Sequence, residues 1–545
     1  MISFCKYVLK EGGSVHPLFV PGHDSGVTGL MNPSVHVDNG RIFVNLRSVN
    51  YVLYHAENRK FPNRYGPLCH LQPESTNILK TENYFTELDH QYQIKMISKV
   101  DTTSLDNPNP QWLFHGLEDA RVVKWDNNLY LCGVRRDTTN NGEGRMELSQ
   151  ISWNGRVMKE HRRYRVPSPD DSYCEKNWMP ILDKPFHFVR WANPVHIVKY
   201  DIYSGRLVTI FKGNDTLDLP FELRGGSQVI SIGDYYICAT HEVQFTPDEQ
   251  GRKDGIYNHR FLVYDKNWNF VNYTPPFKLL GAKIEFITGM CKNGDDILIS
   301  FGFQDNASFL IRINQKSFLK FFLDWGDNES YVAEMICEEV FINGVYEKFK
   351  EVKQGDVVFD IGANIGAFTR SIVDKNPKHV YCVEPSDNMV LALRNNLSNY
   401  PVTIISKAVS DTNGTQEVTE GIHIYHNSSN QFKTITFKDL VSGIDRIDFM
   451  KIDCEGGEYS VFTENNLDYI KNNVKHIAGE WHLWGVPDAV NNFKKFRDLY
   501  LTGSNFRVFD RWDNEVTHKV WSDIYIEDFS NTYTHGAQLM IYIDN

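Results

Sequence analysis

The sequence predicts a multidomain chain: an all-β, five-bladed propeller, followed by an α/β unit whose sheet is mostly parallel. Three observations carry this. Residues 1 to about 318 hold five apolar hairpins with tight polar turns. Residues 319–352 change to helical apolar spacing. From 353 to 545, short apolar strands alternate with helical stretches, the grammar of βαβ units.

The hairpins are SVHVDNGRIFVNLRSV (34–49), ARVVKWDNNLYLCGVRR (120–136), MPILDKPFHFVRW (179–191), SQVISIGDYYICATHE (227–242) and GMCKNGDDILISFGFQD (289–305). Their turns are Asp38-Asn39-Gly40, Asp126-Asn127-Asn128, Asp183-Lys184-Pro185, Gly233-Asp234 and Asn293-Gly294-Asp295. Asn-Gly and Gly-Asp between alternating strands close hairpins because they accept positive φ. Five such units spaced along the chain suit radial repetition, which leaves only short, protected edges; a β-sandwich is the competing architecture. Polar residues crowd ahead of each first strand: Asn32; Glu118, Asp119 and Arg121; Glu175, Lys176 and Asn177; Arg224, Ser227 and Gln228; Glu285. In a propeller these would gather at the mouth of one central channel. In the lead-in (319–352), Val332, Met335, Ile336, Val340, Phe341, Val345 and Phe349 fall at helical spacing among acidic residues.

Composition narrows the function. The 57 basic and 69 acidic side chains leave a net charge of −12, against a non-specific grip on nucleic acid. Aromatics at 13% suit β structure or sugar binding. No run of 18 apolar residues is present to make a transmembrane helix. The opening MISFCKYVLKEGG lacks a signal-peptide core and cleavage site, and the nine cysteines form no CxxC pair. A cytoplasmic location with reduced thiols and no zinc site is the expectation. Oligomeric state is not readable.

The sharpest motif is GDVVFDIGANIGAFT (355–369): a buried strand, a glycine-bearing turn, and a helix from about Ala367. Gly362 and Gly366 let the backbone approach a ligand, with Ala363 and Asn364 between them. The spacing G-x-x-x-G follows Asp360 and is not the G-x-G-x-x-G of dinucleotide binders. A carboxylate there repels pyrophosphate and suits a cationic amino-acid end, which points to S-adenosylmethionine. Glu384 ends the second strand, placed to accept ribose hydroxyls. Lys407, Ala408 and Val409, in SKAVSD (406–411), are placed at the adenine, and Asp453 leaves the fourth strand at the crevice where ligands bind. The unit is thus expected to be Rossmann-like.

On these residues, 331–545 resemble the FkbM family of S-adenosylmethionine-dependent methyltransferases. The resemblance lies in DIGANIGAFT (360–369), VEPS (383–386), KAVSD (407–411), TITFKDL (434–440), IDFMKIDCEGGE (447–458) and GEWH (479–482). Cys454 stands where the family usually has Val. The resemblance implies O-methylation of a hydroxyl, often on a sugar or polyketide. The candidates for proton removal are Asp453, Glu455 and His482; equally, Glu455 could cap a helix and His482 could be a structural residue fixed by Glu480. Asp453 and Glu455 could share a metal, but the sequence shows no third ligand and no metal is assigned.

Residues 1 to about 310 resemble, in patches, five-bladed mannoside phosphorylases and the related β-mannosyltransferases. The segments are NPSVHVDNGRIFVNLR (32–47), GLEDARVV (116–123), EKNWMP (175–180), GGSQVI (225–230), YNHRFLVYD (257–265) and IEFITGM (284–290). The family's E-D-P-R appears as Glu118-Asp119-Ala120-Arg121, which maps the family's acid to Asp119. Arg47, Arg121, Lys176, His259 and Arg260 are cations available for phosphate or a nucleotide diphosphate; Asn177, Gln228 and Glu285 complete the expected glycan site, with Trp178 and Trp191 as stacking faces. Ala120 and the Trp-Met-Pro after Asn177 depart from the phosphorylases, so glycosyl transfer or glycan binding competes with phosphorolysis. Salt bridging of Asp119 and Arg121 between blades is the structural alternative. The basic run KEHRRYR (159–165) reads as a solvated loop.

The combined expectation is a glycan-modifying enzyme. Its second half methylates a sugar hydroxyl of a glycan or sugar nucleotide, and its first half binds or processes the same glycan. Two alternatives stay open: a bifunctional enzyme, or a catalytic propeller with a regulatory nucleoside-binding domain.

Overall fold

All five hairpins form. A computed structural model describes residues 2–20, 29–55, 68–71, 78–110, 112–153, 157–214, 216–217, 219, 221–247, 253–324, 330–417, 431–484, 487–533 and 536–545. It divides into two units, Met1–Phe322 and Leu323–Asn545. The division falls four residues past 318 because Phe318 and Phe321, on and after the helix Gln315–Lys320, pack against Phe261 and Phe4 of the first unit.

In the first unit the described strands form sheets of nine, seven, four and four strands and a two-stranded pair, and the larger sheets fall into mainly antiparallel groups. The first is Met31–Asp38, Arg41–Val49, Leu79–Leu88 and Ile94–Asp101. The second is Leu117–Trp125, Asn128–Arg135, Arg145–Trp153 and Met158–Arg165. The third is Met179–Pro180, His187–Ala192, Val195–Asp201 and Arg206–Lys212. The fourth runs from Arg224–Gly225 and Ile230–Ile232 through Tyr235–Pro247 and Lys253–Asp265 to Phe270–Tyr273. The fifth is Glu285–Asn293, Asp296–Phe303, Ala307–Asn314 and, from the start of the chain, Ser14–Pro17. The basic run 159–165, expected as a loop, is strand throughout, within Met158–Arg165.

Hydrogen bonds pass from group to group in a closed circuit. The Val122 amide donates to Ser34 Oγ, Trp125 Nε1 to the Ile181 carbonyl, and the Val229 amide to the Pro180 carbonyl. The Met290 amide donates to Gln228 Oε1, and the Val35 amide to Ser300 Oγ. The unit is propeller-like. Bulges interrupt the first strands at Met31/Ser34, Glu118/Arg121 and Ile287/Gly289, and Asn32 and Asp119 sit there at φ 45° and 49°. Asn and Asp tolerate that region better than other side chains do.

In the second unit, Ser330–Ile336 is helical as the spacing predicts, but Cys337–Asn343 widens into a π-helix that ends at Gly344 (φ 60°). A sheet of seven strands follows: β1 (Val357–Ile361), β2 (His379–Val383), β3 (Val402–Ile405), β4 (Ile447–Ile452), β5 (Val474–His482), β6 (Asn505–Asp510) and β7 (Gln538–Asp544), beside a small sheet of Ala408–Val409, Gly414–Glu417 and Gln431–Ile435. Their order is 3-2-1-4-5-7-6. Strands β1 to β5 are parallel; β7 is antiparallel to both β5 and β6, so the sheet is mixed but mostly parallel. The order reverses at β1, which opens a crevice past the carboxyl ends of β1 and β4. Buried apolar residues such as Phe359, Met450, Ile452 and Trp481 hold these strands in one core. No described helix is long and apolar enough to cross a membrane.

Candidate active site

The crevice holds a cavity of about 290 Å³. The turn after β1 forms one wall. Gly362 (φ 75°) lies so close to β4 that a Cβ there would meet the Asp453 carbonyl oxygen at 1.7 Å, which only glycine avoids. Gly366 (φ 82°) caps the helix Ala367–Ile372 and packs against Leu393; it supports the turn without lining the cavity. Ala363 and Asn364 do line it, as do Lys407, Ala408 and Val409.

Glu384, at the tip of β2, is 7% exposed and lines the cavity. Its Oε2 accepts the Asn364 amide at 2.8 Å and its Oε1 the Ser386 amide at 2.9 Å. Burial pushes its carboxyl up to about 7. The two amides fix the carboxylate, and each oxygen keeps lone-pair capacity for a further donor.

Asp360 differs from expectation. It is fully buried and does not line the cavity: its Oδ2 accepts from Thr369 Oγ1 at 2.7 Å, and its Oδ1 lies 3.3 Å from Lys451 Nζ. The group presented to the cavity is Lys451, which also donates to the Gly362 carbonyl at 2.6 Å. Sequence reasoning missed it, although it begins the KIDCEGGE motif. Alternation along β4 places Lys451 and Asp453 on one side. Lys451 Nζ is 3.9 Å from Asp453 Oδ2, which also accepts the Tyr346 hydroxyl at 2.7 Å.

The acidic end of the cavity holds Glu339, Asp453 and Glu455. Glu455 does not cap a helix. The helix Glu458–Val461 starts three residues later, and Glu455 lies in the preceding turn at φ 51°. Glu458 Oε2 instead accepts the Gly456 amide at 2.9 Å. Nor is His482 oriented by Glu480. Fully buried Glu458 places Oε1 at 3.1 Å from His482 Nδ1 and at 2.8 Å from its amide. Glu455 Oε2 lies 3.4 Å from His482 Nε2. Burial opposes the charge on His482, but Glu458 and Glu455 outweigh it and hold the imidazole up to about 10. Glu455, pushed up to about 7 by burial, is poised as an acceptor.

The first unit gathers only part of its expected site. Asp119 accepts from Arg47 Nη1 at 2.7 Å and from Asn32 Nδ2 at 2.9 Å; Glu118 lies 3.9 Å from Arg47. Burial pushes the Asp119 carboxyl up, but Arg47, Arg121 and Asn32 prevail and hold it below its ordinary value. Arg121 is buried, donating to the carbonyls of Asp119 and Gly226. Lys176 is exposed, and Asn177 sits beside it at φ 62°. Four expected ligands are spent inside the fold. Gln228 pins first strands together. His259, pushed down to about 3 by burial, accepts the Ile287 amide. Arg260 pairs with Glu242 at 3.3 Å. Glu285 accepts the amides of Leu279, Leu280 and Ala282. Trp178 is core, bonded to Glu175, whereas Trp191 is 40% exposed. Sequence reasoning missed Asp305, whose carboxyl burial pushes up to about 6 near Arg47 and Asp119.

A glycine turn, a clamped acid on β2 and an Asp at the end of β4, all at one switch point, form a recognisable set. Residues 360–508 match the methyltransferase FkbM domain. The cavity described above is built mainly from this FkbM domain, with Ile336, Glu339, Val340 and Tyr346 contributed by the segment before it. No curated protein matches the chain. Solved structures resemble it over rather more than half its length. The β-1,2-mannobiose phosphorylase of Listeria innocua is 12% identical with a TM-score of 0.36, covering 56% of this chain and 98% of that one. MPT-4, a mannose phosphorylase of Leishmania mexicana, is 12% identical at 0.33, covering 57% and 92%. A glycosyl hydrolase of Bacteroides ovatus is 13% identical at 0.35, covering 53% and 85%.

Proposed function

We propose that the second unit is an S-adenosylmethionine-dependent O-methyltransferase acting on a sugar hydroxyl of a glycan or glycoconjugate. In this reading the five groups of the first unit are the blades of a propeller that binds the same glycan. The observation that carries the reading is the clamped Glu384 facing a cavity that Lys451 and Asp453 also line. Glu384 would accept the ribose hydroxyls, and Lys407 to Val409 would border the adenine. Lys451 would meet the carboxylate of the methionine end and Asp453 its ammonium. When bound, the donor supplies an electrophilic methyl carbon on a cationic sulfur.

The chain's own residues would supply position and proton removal. Glu455, turned toward His482 by its left-handed backbone, takes the hydroxyl proton. The His482 imidazolium, held by Glu458, offsets the charge of the surrounding carboxylates. In this reading Asp119, locked to Arg47, takes part in binding the glycan.

The test is transfer of labelled methyl groups from S-adenosylmethionine to a panel of oligosaccharides and sugar nucleotides by the full chain. Label in a base-stable sugar ether supports the reading; label in protein or small amines alone contradicts it.

A further inference from the structure

We propose that Asp453, Glu480 and His482 form a binding site for one divalent cation of the Mn2+ or Mg2+ class, at the carboxyl ends of β4 and β5. One donor atom from each of the three lies within 4.8 Å of the others. Two carboxylates and an imidazole converging from adjacent strands make a mixed oxygen and nitrogen set, which suits a hard or borderline divalent ion.

The histidine supplies an independent observation. His482 is 3% exposed, and its Nδ1 is committed to the buried Glu458 carboxylate. That leaves Nε2 for the cluster. Among the described residues, the contact of Nε2 is an ion pair with Glu455 Oε2 at 3.4 Å. A ring nitrogen held by a carboxylate on one side and open toward further carboxylates on the other has the arrangement of a metal-ligating histidine. Glu480 makes no hydrogen bond or ion pair among the described residues, although its carboxylate faces the other two donors. In Asp453, Oδ2 is taken by the Tyr346 hydroxyl and approached by Lys451, which leaves Oδ1 open. Lys451 is turned to Asp360 and the Gly362 carbonyl, and stands 3.9 Å from Asp453 Oδ2.

Asp453 also lines the cavity assigned to the methyl donor, so the ion would sit beside the place where an acceptor hydroxyl must lie. Coordinating that oxygen would weaken its O–H bond, and the proton would pass to Glu455. This role rests on the methyl-transfer reading; the binding of the ion does not.

The test is titration of the metal-free full chain with Mn2+, followed by the loss of the free-ion electron paramagnetic resonance signal, with calorimetry of S-adenosylmethionine on the same sample. One tight Mn2+ per chain is expected. Glu480→Gln and His482→Gln should each weaken it by about tenfold or more, since even outer-shell losses at metal sites cost about 10- to 100-fold. Circular dichroism confirms that each variant is folded, and Glu480→Gln guards against a folding failure because it removes a charge from a crowded site. No Mn2+ binding, or binding unchanged in both variants, overturns the site. Mn2+ binding without S-adenosylmethionine binding would keep the site and overturn the methyl-transfer reading; the reverse result would do the opposite.

Discussion

Glu384 accepts the Asn364 amide at 2.8 Å, which ties the tip of β2 to the turn after β1 across the mouth of the cavity. The contact fixes the height of the turn as well as the direction of the carboxylate. Glu384→Gln keeps the size but replaces one acceptor with an amide that faces a backbone N–H. Losing a charged hydrogen bond costs about 1.5–3 kcal/mol, so affinity for S-adenosylmethionine should fall by roughly ten- to a hundredfold in calorimetry. An unchanged affinity would remove Glu384 from the site.

Lys451 and Asp360 form a buried pair at 3.3 Å, with side chains 5% and 0% exposed. Removing one partner of such a pair costs about 3–5 kcal/mol, because the other charge stays buried. Lys451→Met should lower the denaturation midpoint by that order. The double variant with Asp360→Asn should recover part of the stability but none of the donor binding. Recovery of binding would show that Lys451 acts only through Asp360.

The contributions of Glu384, Glu455 and His482 to the stability of the ligand-free chain should fall as pH rises from 5 to 9, against the opposite trend of buried histidines such as His36 and His259, whose values burial lowers. Burial raises Glu384 and Glu455 from 4.5 to about 7, so between those values the folded chain keeps protons that the unfolded chain has released. The unfolded state then binds fewer protons, and rising pH favours it. His482, raised from 6.5 to about 10 mainly by Glu458, acts in the same direction over the higher window. Its stabilising charge is present below 6.5 and is lost through 10. For Glu384 the effect is of the order of 3 kcal/mol. Thermal melts at fixed ionic strength should show the Glu384→Gln variant gaining stability relative to the parent chain as pH rises from 5 to 7. A difference that does not change over that window contradicts the assignment.

Gln228 Nε2 donates to the carbonyls of Val35 (3.0 Å) and Val122 (2.8 Å), and its Oε1 accepts the Met290 amide at 2.8 Å. Gln228→Leu leaves those groups buried without partners at about 1–3 kcal/mol each. The full chain should lose about 3 kcal/mol or more, read from denaturant melts of the first unit's tryptophans. Tolerance of leucine would mean that water replaces the amide.

The hairpins were legible because Asn39-Gly40, Asp126-Asn127, Gly233-Asp234 and Gly294-Asp295 impose a local geometry that little else in the fold can override. The turn after Asp360 was legible for the same reason. What the sequence hid was the direction of side chains at the end of long-range contacts. Asp360 turns inward because Lys451, ninety residues later, offers it a buried charge. The partner of His482 is Glu458, which arrives through a turn, and not Glu480, two residues away on the same strand. Gln228, His259, Arg260 and Glu285 read as ligands, yet buried backbone groups and an internal carboxylate claim them.

The measurement that bears most directly on the central claim is calorimetric titration of the full chain with S-adenosylmethionine, set beside NAD. The account predicts saturable binding of S-adenosylmethionine near one equivalent, abolished by Lys451→Met and weakened by Glu384→Gln, with no heat from NAD. Binding of NAD in its place, or no heat from S-adenosylmethionine at all, would contradict it.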